Sequence, residues 1–307
     1  MIDLSVTISS LRLKNPVMVA SGTFGYGREY AGLIDISELG AVVTKGISLK
    51  HSKGNLPPRI VETPSGMLNA IGLQNVGFEA FVLEKMPYLR QFATPVIVNF
   101  YGTSADDYGE LAEKLSGVDG VAGLEANISC PNIKQGGMCF GTDASMAHSI
   151  TKQIRRKTGL PLIVKLTPNV TDIASIAQAV EDAGADAVSL TNTFTGMVVD
   201  VATCRPALGN ITGGLSGPAI RPLSLRMVWE TVKKVSIPVI GIGGILTAHD
   251  ALQFLIVGAR AVQIGTGLFV SPQAPGDIVR GIGEYAQARG YTSIAPVIGC
   301  LKTEQPG

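Results

Sequence analysis

"PLIVKLTPNVTDIASIAQAVEDAGADAVSLT" (161–191) holds a complete strand–helix–strand unit. Its first run, PLIVKL (161–166), is apolar and rich in β-branched residues, as a strand covered on both faces must be. Ile173, Ile176, Ala177 and Val180 then recur at helical spacing, Thr171 or Asp172 stands where a helix start is capped, and Gly184 stands where it ends. DAVSLT (186–191) is strand-like again. Two strands joined through a helix run parallel.

The same rhythm extends in both directions. Strands are expected at 16–21, 41–46, 95–100, 120–129, 161–166, 186–191, 238–244 and 261–267. Thr247 and Asp250 form a capping-box pair ahead of Leu252, Leu255 and Ile256. Eight β/α units in 307 residues predict a closed (β/α)8 TIM barrel, because a doubly wound sheet usually has fewer strands. An N-terminal β-hairpin precedes the barrel, and 1–307 reads as one domain. Two βα connections, 47–77 and 192–217, are too long for simple turns; long loops over the C-terminal face of a barrel usually serve binding.

With 46% apolar and 16% charged residues, the chain can bury a large core and is unsuited to disorder. A net charge of +1 gives no general attraction to nucleic acid or anionic lipid, so neither is an expected partner. The N-terminus alternates polar and apolar residues, and no run of about 18 apolar residues follows, which predicts neither a signal peptide nor a membrane span and places the chain in the cytoplasm. The cysteines Cys130, Cys139, Cys204 and Cys300 form no C-x-x-C pair, so no metal or iron–sulfur site is expected on this chain.

Side chains at the C-terminal strand ends of a barrel converge on one mouth. Here those ends supply Ser21, Lys45, Asn99, Asn127, Lys165, and Thr191 with Asn192 and Thr193. Each costs desolvation unless something polar satisfies it. The last two strands end in glycine turns, Gly243 with Gly244 and Gly265 with Thr266, which either make tight turns only or present backbone N–H groups to a phosphate. "GIGGI" is not the spaced G-x-G-x-x-G of a dinucleotide fold. Lys45 and Lys165 either snorkel to solvent or face an anionic ligand; beside the N1/C2 edge of a flavin, a lysine stabilises charge that accumulates on reduction.

Cys130, in "NISCPNIKQGG" (127–137), falls just past the fourth strand, where Pro131 cannot continue a ladder and Gly136 with Gly137 permits a mobile cover. It is either a small buried hydrophobe, the reading preferred for the other three cysteines, or a working base or nucleophile. His51, His148 and His249 do not obviously flank it, so no Cys–His dyad is claimed. A thiol acting alone suits proton abstraction.

"NAIGLQNVG" (69–77), "NISCPNIKQGGMCFGTD" (127–143), "IVKLTPNVTDI" (163–173), "GGLSGPAIRPLSLRMV" (213–228) and "GIGGI" together resemble class 1 dihydroorotate dehydrogenases, specifically the 1B catalytic subunit. The resemblance covers nearly the whole chain. It implies an FMN enzyme of pyrimidine biosynthesis that oxidises (S)-dihydroorotate to orotate. Cys130 is then the base for the C5 proton while a C6 hydride passes to flavin N5. Substrate is held by Lys45, Asn69, Ala70, Ile71, Gly72, Leu73, Asn127, Asn192 and Thr193. FMN is held by Ser21, Lys45, Gly46, Asn99, Asn127, Lys165, Thr191, Gly217, Gly243, Gly244, Gly265 and Thr266. The resemblance further implies a homodimer of this chain as the core of a two-plus-two assembly, with FAD and [2Fe-2S] on an electron-transfer subunit that reduces NAD+. Phe194, Thr195 and the tail "GCLKTEQPG" depart from that pattern. The alternatives are a fumarate-using 1A-type homodimer, a related dihydropyrimidine-oxidising barrel and a non-catalytic flavin-binding protein.

Overall fold

The structure is a computed structural model that describes residues 2–129, 131–132 and 138–303. Its centre is a closed parallel barrel of eight strands: β1 Val17–Val19, β2 Ala41–Val43, β3 Val96–Phe100, β4 Val121–Asn127, β5 Leu162–Lys165, β6 Ala187–Leu190, β7 Val239–Ile242 and β8 Ala261–Ile264. Each pairs with its sequence neighbours, and β8 closes on β1 through Val262 opposite Val17. All eight predicted strands are present, trimmed to their hydrogen-bonded cores.

The strands read as continuous apolar runs because both of their faces are covered. Val17, Met18 and Val19 are fully buried, as are Leu162, Ile163 and Val164. Helices pack outside, among them α1 Ala105–Ser116, α2 Ala144–Arg155, α3 Ile173–Asp182, α4 Arg221–Val232, α5 Ala248–Ile256 and α6 Ala274–Ala288. In α3 the predicted stripe of Ile173, Ile176, Ala177 and Val180 is the buried face. Of its two candidate caps, Asp172 accepts from the Ala174 and Ser175 N–H groups. Gly184, at φ 96, lies just past the helix end. The capping box on α5 also forms, with Thr247 accepting from Asp250 N and Asp250 accepting from Thr247 N.

The N-terminal hairpin, Val6–Ile8 paired with Leu11–Leu13, buries Val6, Ile8, Leu11 and Leu13 at the strand-start end of the barrel. Ser9 there donates to Asp186 at the start of β6. The two long connections are not separate loops. They pair with each other into an antiparallel sheet in the order Phe194–Met197, Thr212–Ser216, Gly66–Asn69 and Ile60–Thr63. That pairing satisfies backbone groups that long loops leave open, and it builds one wall of the site.

Candidate active site

The strand ends open onto a cavity of about 620 Å³. Every residue predicted for substrate or flavin lines it, with one exception. Ser21, Lys45, Gly46, Asn99, Asn127 and Lys165 come from β1 to β5 and the residues just after them. Thr191, Asn192 and Thr193 follow β6, and Gly243, Gly244, Gly265 and Thr266 follow β7 and β8. The sheet formed by the long connections brings Asn69 to Leu73 and Gly217 across the opening. The exception is Cys130, which with Gly136 and Gly137 lies outside the described residues.

The cavity wall carries three cations, Lys45, Arg59 and Lys165, and no acid among its described residues. Lys165 is 7% exposed and has no carboxylate partner among the described residues. Burial, and then the nearby Arg59 guanidinium, hold the Lys45 ammonium below its ordinary pKa of 10.5. Such a wall favours anionic ligands.

Neighbouring amides are oriented by one another. Asn192 gives its Nδ2 hydrogens to Asn127 Oδ1 at 3.2 Å and Ser129 Oγ at 3.0 Å, while its Oδ1 accepts from Thr193 N at 2.9 Å. Asn192 is therefore spent internally. Asn127 is left with Nδ2 as a donor that has no protein partner among the described residues. Asn55 fixes the 69–73 segment by donating from Nδ2 to Ala70 O at 2.9 Å and from its backbone N–H to Ile71 O at 3.0 Å.

At the other end of the cavity, Gly243 sits at φ 130, where a Cβ would stand 2.3 Å from Ser224 Oγ. Ser224 is held in turn by Thr191 Oγ1 at 2.7 Å. Thr191 follows a cis peptide bond. Asp250 bonds both Arg221 and the backbone N–H groups of Leu246 and Thr247, which ties the turn after β7 to the starts of α4 and α5. Thr266 Oγ1 donates to Ser216 Oγ at 2.7 Å, joining the β8 turn to the cross-connection sheet.

A family model described as Dihydroorotate dehydrogenase matches residues 3–285. The chain belongs to the dihydroorotate dehydrogenase family. It is 57% identical over 300 residues, 98% of each chain, to a protein of Geotalea daltonii named dihydroorotate dehydrogenase B (NAD(+)), catalytic subunit. Proteins of the same name from Geotalea uraniireducens and Geobacter sulfurreducens are 56% and 55% identical, over 98% of this chain and 99% and 98% of theirs.

Several residues at the mouth of this family member have no signal at strand ends. Arg59, Gln74, Asn169 and Ser216 arrive from connections, and only folding brings them to the cavity. Asn169 donates to Thr193 O and accepts from Thr195 N, fixing the segment after β6. The buried reading of the spare cysteines fails for two of them. Cys204, at φ 52 in the turn after Val199–Asp200, and Cys300, near the C-terminal end, are both exposed because each sits in an irregular surface segment and not on a packed face. The side chain of Cys139 lies outside the description. His51 and His249 are exposed and neither lines the main cavity. Among the described residues no group of three or more His, Cys, Asp or Glu could hold a metal, and no helix is long and apolar enough to cross a membrane.

Proposed function

We propose that this chain oxidises (S)-dihydroorotate to orotate in pyrimidine biosynthesis, with FMN at the barrel mouth and NAD+ as the final acceptor through a partner subunit. The observation that carries the reading is the near full-length match to relatives named as NAD(+)-linked catalytic subunits. The cavity supports it, because its residues fit FMN on their own chemistry. A buried ammonium with no carboxylate partner and a wall with no acid, both among the described residues, and two glycine turns followed by helical segments suit an anionic ring system with a phosphate tail.

FMN, when bound, supplies a two-electron acceptor for the hydride that leaves substrate C6. Lys165 places positive charge where reduction accumulates negative charge, and Ser21, Gly46, Asn99, Thr191 and Gly217 shape the ring site. Gly243, Gly244, Gly265 and Thr266 offer backbone N–H groups to the phosphate. Lys45 and the 69–73 segment hold the substrate carboxylate end. Asn127 donates through the Nδ2 that Asn192 leaves free, and Asn192 and Thr193 keep that arrangement rigid. Cys130 takes the C5 proton as thiolate, becoming the thiol. The partner carries FAD and [2Fe-2S], and two of each subunit assemble in the cytoplasm around a dimer of this chain.

The test is a visible spectrum of the purified chain and its response to dihydroorotate without oxygen. The chain should be yellow and should bleach, and C130S should stay yellow but bleach far more slowly at neutral pH, because a hydroxyl is a much weaker base than a thiol of reference pKa about 8.5. A colourless chain, or a C130S variant that bleaches at the normal rate, overturns the reading.

A further inference from the structure

Directly beneath the mouth, the barrel interior holds a carboxylate that the reaction above does not use. Glu125, on β4, is 0% exposed. Three donors from three other strands converge on it. Asn99 Nδ2 of β3 lies 2.7 Å from Oε1, and Ser189 Oγ of β6 and Gln263 Nε2 of β8 lie 2.9 and 2.6 Å from Oε2. All of these hydrogen-bond partners are neutral. A buried carboxylate compensated only by neutral donors is costly compared with an apolar or amide residue of the same size, so packing alone does not account for it.

What a carboxylate has and an amide lacks is that it only accepts. Facing Glu125, the Asn99 amide must turn its NH2 inward, and its Oδ1 is left on the other side. That oxygen stands against Gly46, where a Cβ would lie 2.6 Å from it, and both residues line the cavity. We propose that Glu125 is a positioning residue that locks Asn99 as a hydrogen-bond acceptor towards the cavity, and so selects a ring edge that offers an N–H group. The flavin ring system has such an edge in its imide. The inference rests on the FMN reading above, and it assigns to the barrel interior a specificity that the cavity residues alone do not define.

A double-mutant cycle on the full-length chain, stripped of flavin and titrated with FMN by fluorescence quenching, tests it. E125Q presents both a donor and an acceptor, so Asn99 is free to turn over. FMN binding should weaken about fivefold, as expected for one misdirected hydrogen bond, and the visible band of bound flavin should shift. In the N99A background, which has no amide to orient, E125Q should change the affinity less than about twofold. S189A removes another donor from the same carboxylate without touching Asn99; it should lower the melting temperature while leaving FMN affinity within about twofold. If E125Q does not fold, E125D, which withdraws the acceptor by one methylene, enters the same cycle with the same expectation. Equal losses in the wild-type and N99A backgrounds, no loss in either, or an S189A loss as large as that of E125Q overturns the positioning role. A wild-type chain that takes up no FMN overturns both readings.

Discussion

At the scale of single residues, two positions give sharp tests of the site. Gly265 has an ordinary backbone conformation, and a Cβ added there meets only Ala20 Cβ, at 3.6 Å, a normal contact. The fold therefore tolerates alanine, whereas a phosphate lying against the turn does not. We expect G265A to keep its far-UV spectrum and melting temperature as apoprotein but to bind FMN at least about tenfold more weakly, the effect of roughly 1.4 kcal/mol lost at a close approach. Retention of normal FMN affinity by G265A places the phosphate elsewhere. Lys45 gives a pH test. Burial, followed by Arg59, depresses its pKa in the free protein, whereas a bound carboxylate favours the charged form and raises it. Between those two values binding takes up a proton, so orotate affinity should fall as pH rises through a window that opens below the 10.5 of an ordinary lysine. The slope is at most tenfold per pH unit. Titration calorimetry in buffers of different ionisation enthalpy checks the proton uptake, and K45M should abolish it. The strand-end rule found Lys45, Asn99, Asn127 and Lys165 because period and position alone place them at the mouth. It missed Arg59 and Asn169, which reach the cavity through connections whose path no local pattern encodes.

At the scale of elements, the helix that follows the proposed phosphate turn depends on its first turn. Thr247 and Asp250 cap α5 reciprocally, and Asp250 also bonds Arg221 at the start of α4. T247A removes the acceptor for Asp250 N and should cost about 1 kcal/mol, lowering the melting temperature by about 2 °C, with no change in the spectrum of bound flavin. Differential scanning calorimetry of the two proteins reads this directly. The capping box, the α3 stripe and the Gly184 stop were legible because they depend on spacings of three or four residues. The antiparallel sheet was not. Its partners Leu68 and Leu215 are far apart in the chain, and the 47–77 and 192–217 segments carry no alternation strong enough to announce their register.

At the scale of the whole molecule, the barrel is a scaffold that gathers polar side chains from many segments at its mouth. FMN that binds only the folded state stabilises it by about 2.7 kcal/mol at one hundred times its dissociation constant, which should raise the melting temperature by on the order of 5 °C. A thermal shift that does not depend on FMN concentration rules out a specific site. The assembly gives a second test at this scale. Purified alone, the chain should reduce NAD+ poorly with dihydroorotate, and the electron-transfer subunit should restore the rate. Brisk NAD+ reduction by the lone chain removes the need for a partner.

The sequence by itself determined the number and order of the barrel strands, their parallel closure, the helix caps and the ring of polar residues at the strand ends. Each of these follows from short-range periodicity and from the rule that a strand covered on both faces is apolar throughout. Only the tertiary structure decided that the two long connections pair into one wall, that Arg59 joins Lys45 and Lys165 over the same cavity, and that Glu125 gathers donors from three other strands. These are contacts between residues distant in the chain, and what fixes them is closure of the barrel, which brings β3, β4, β6 and β8 around a single interior.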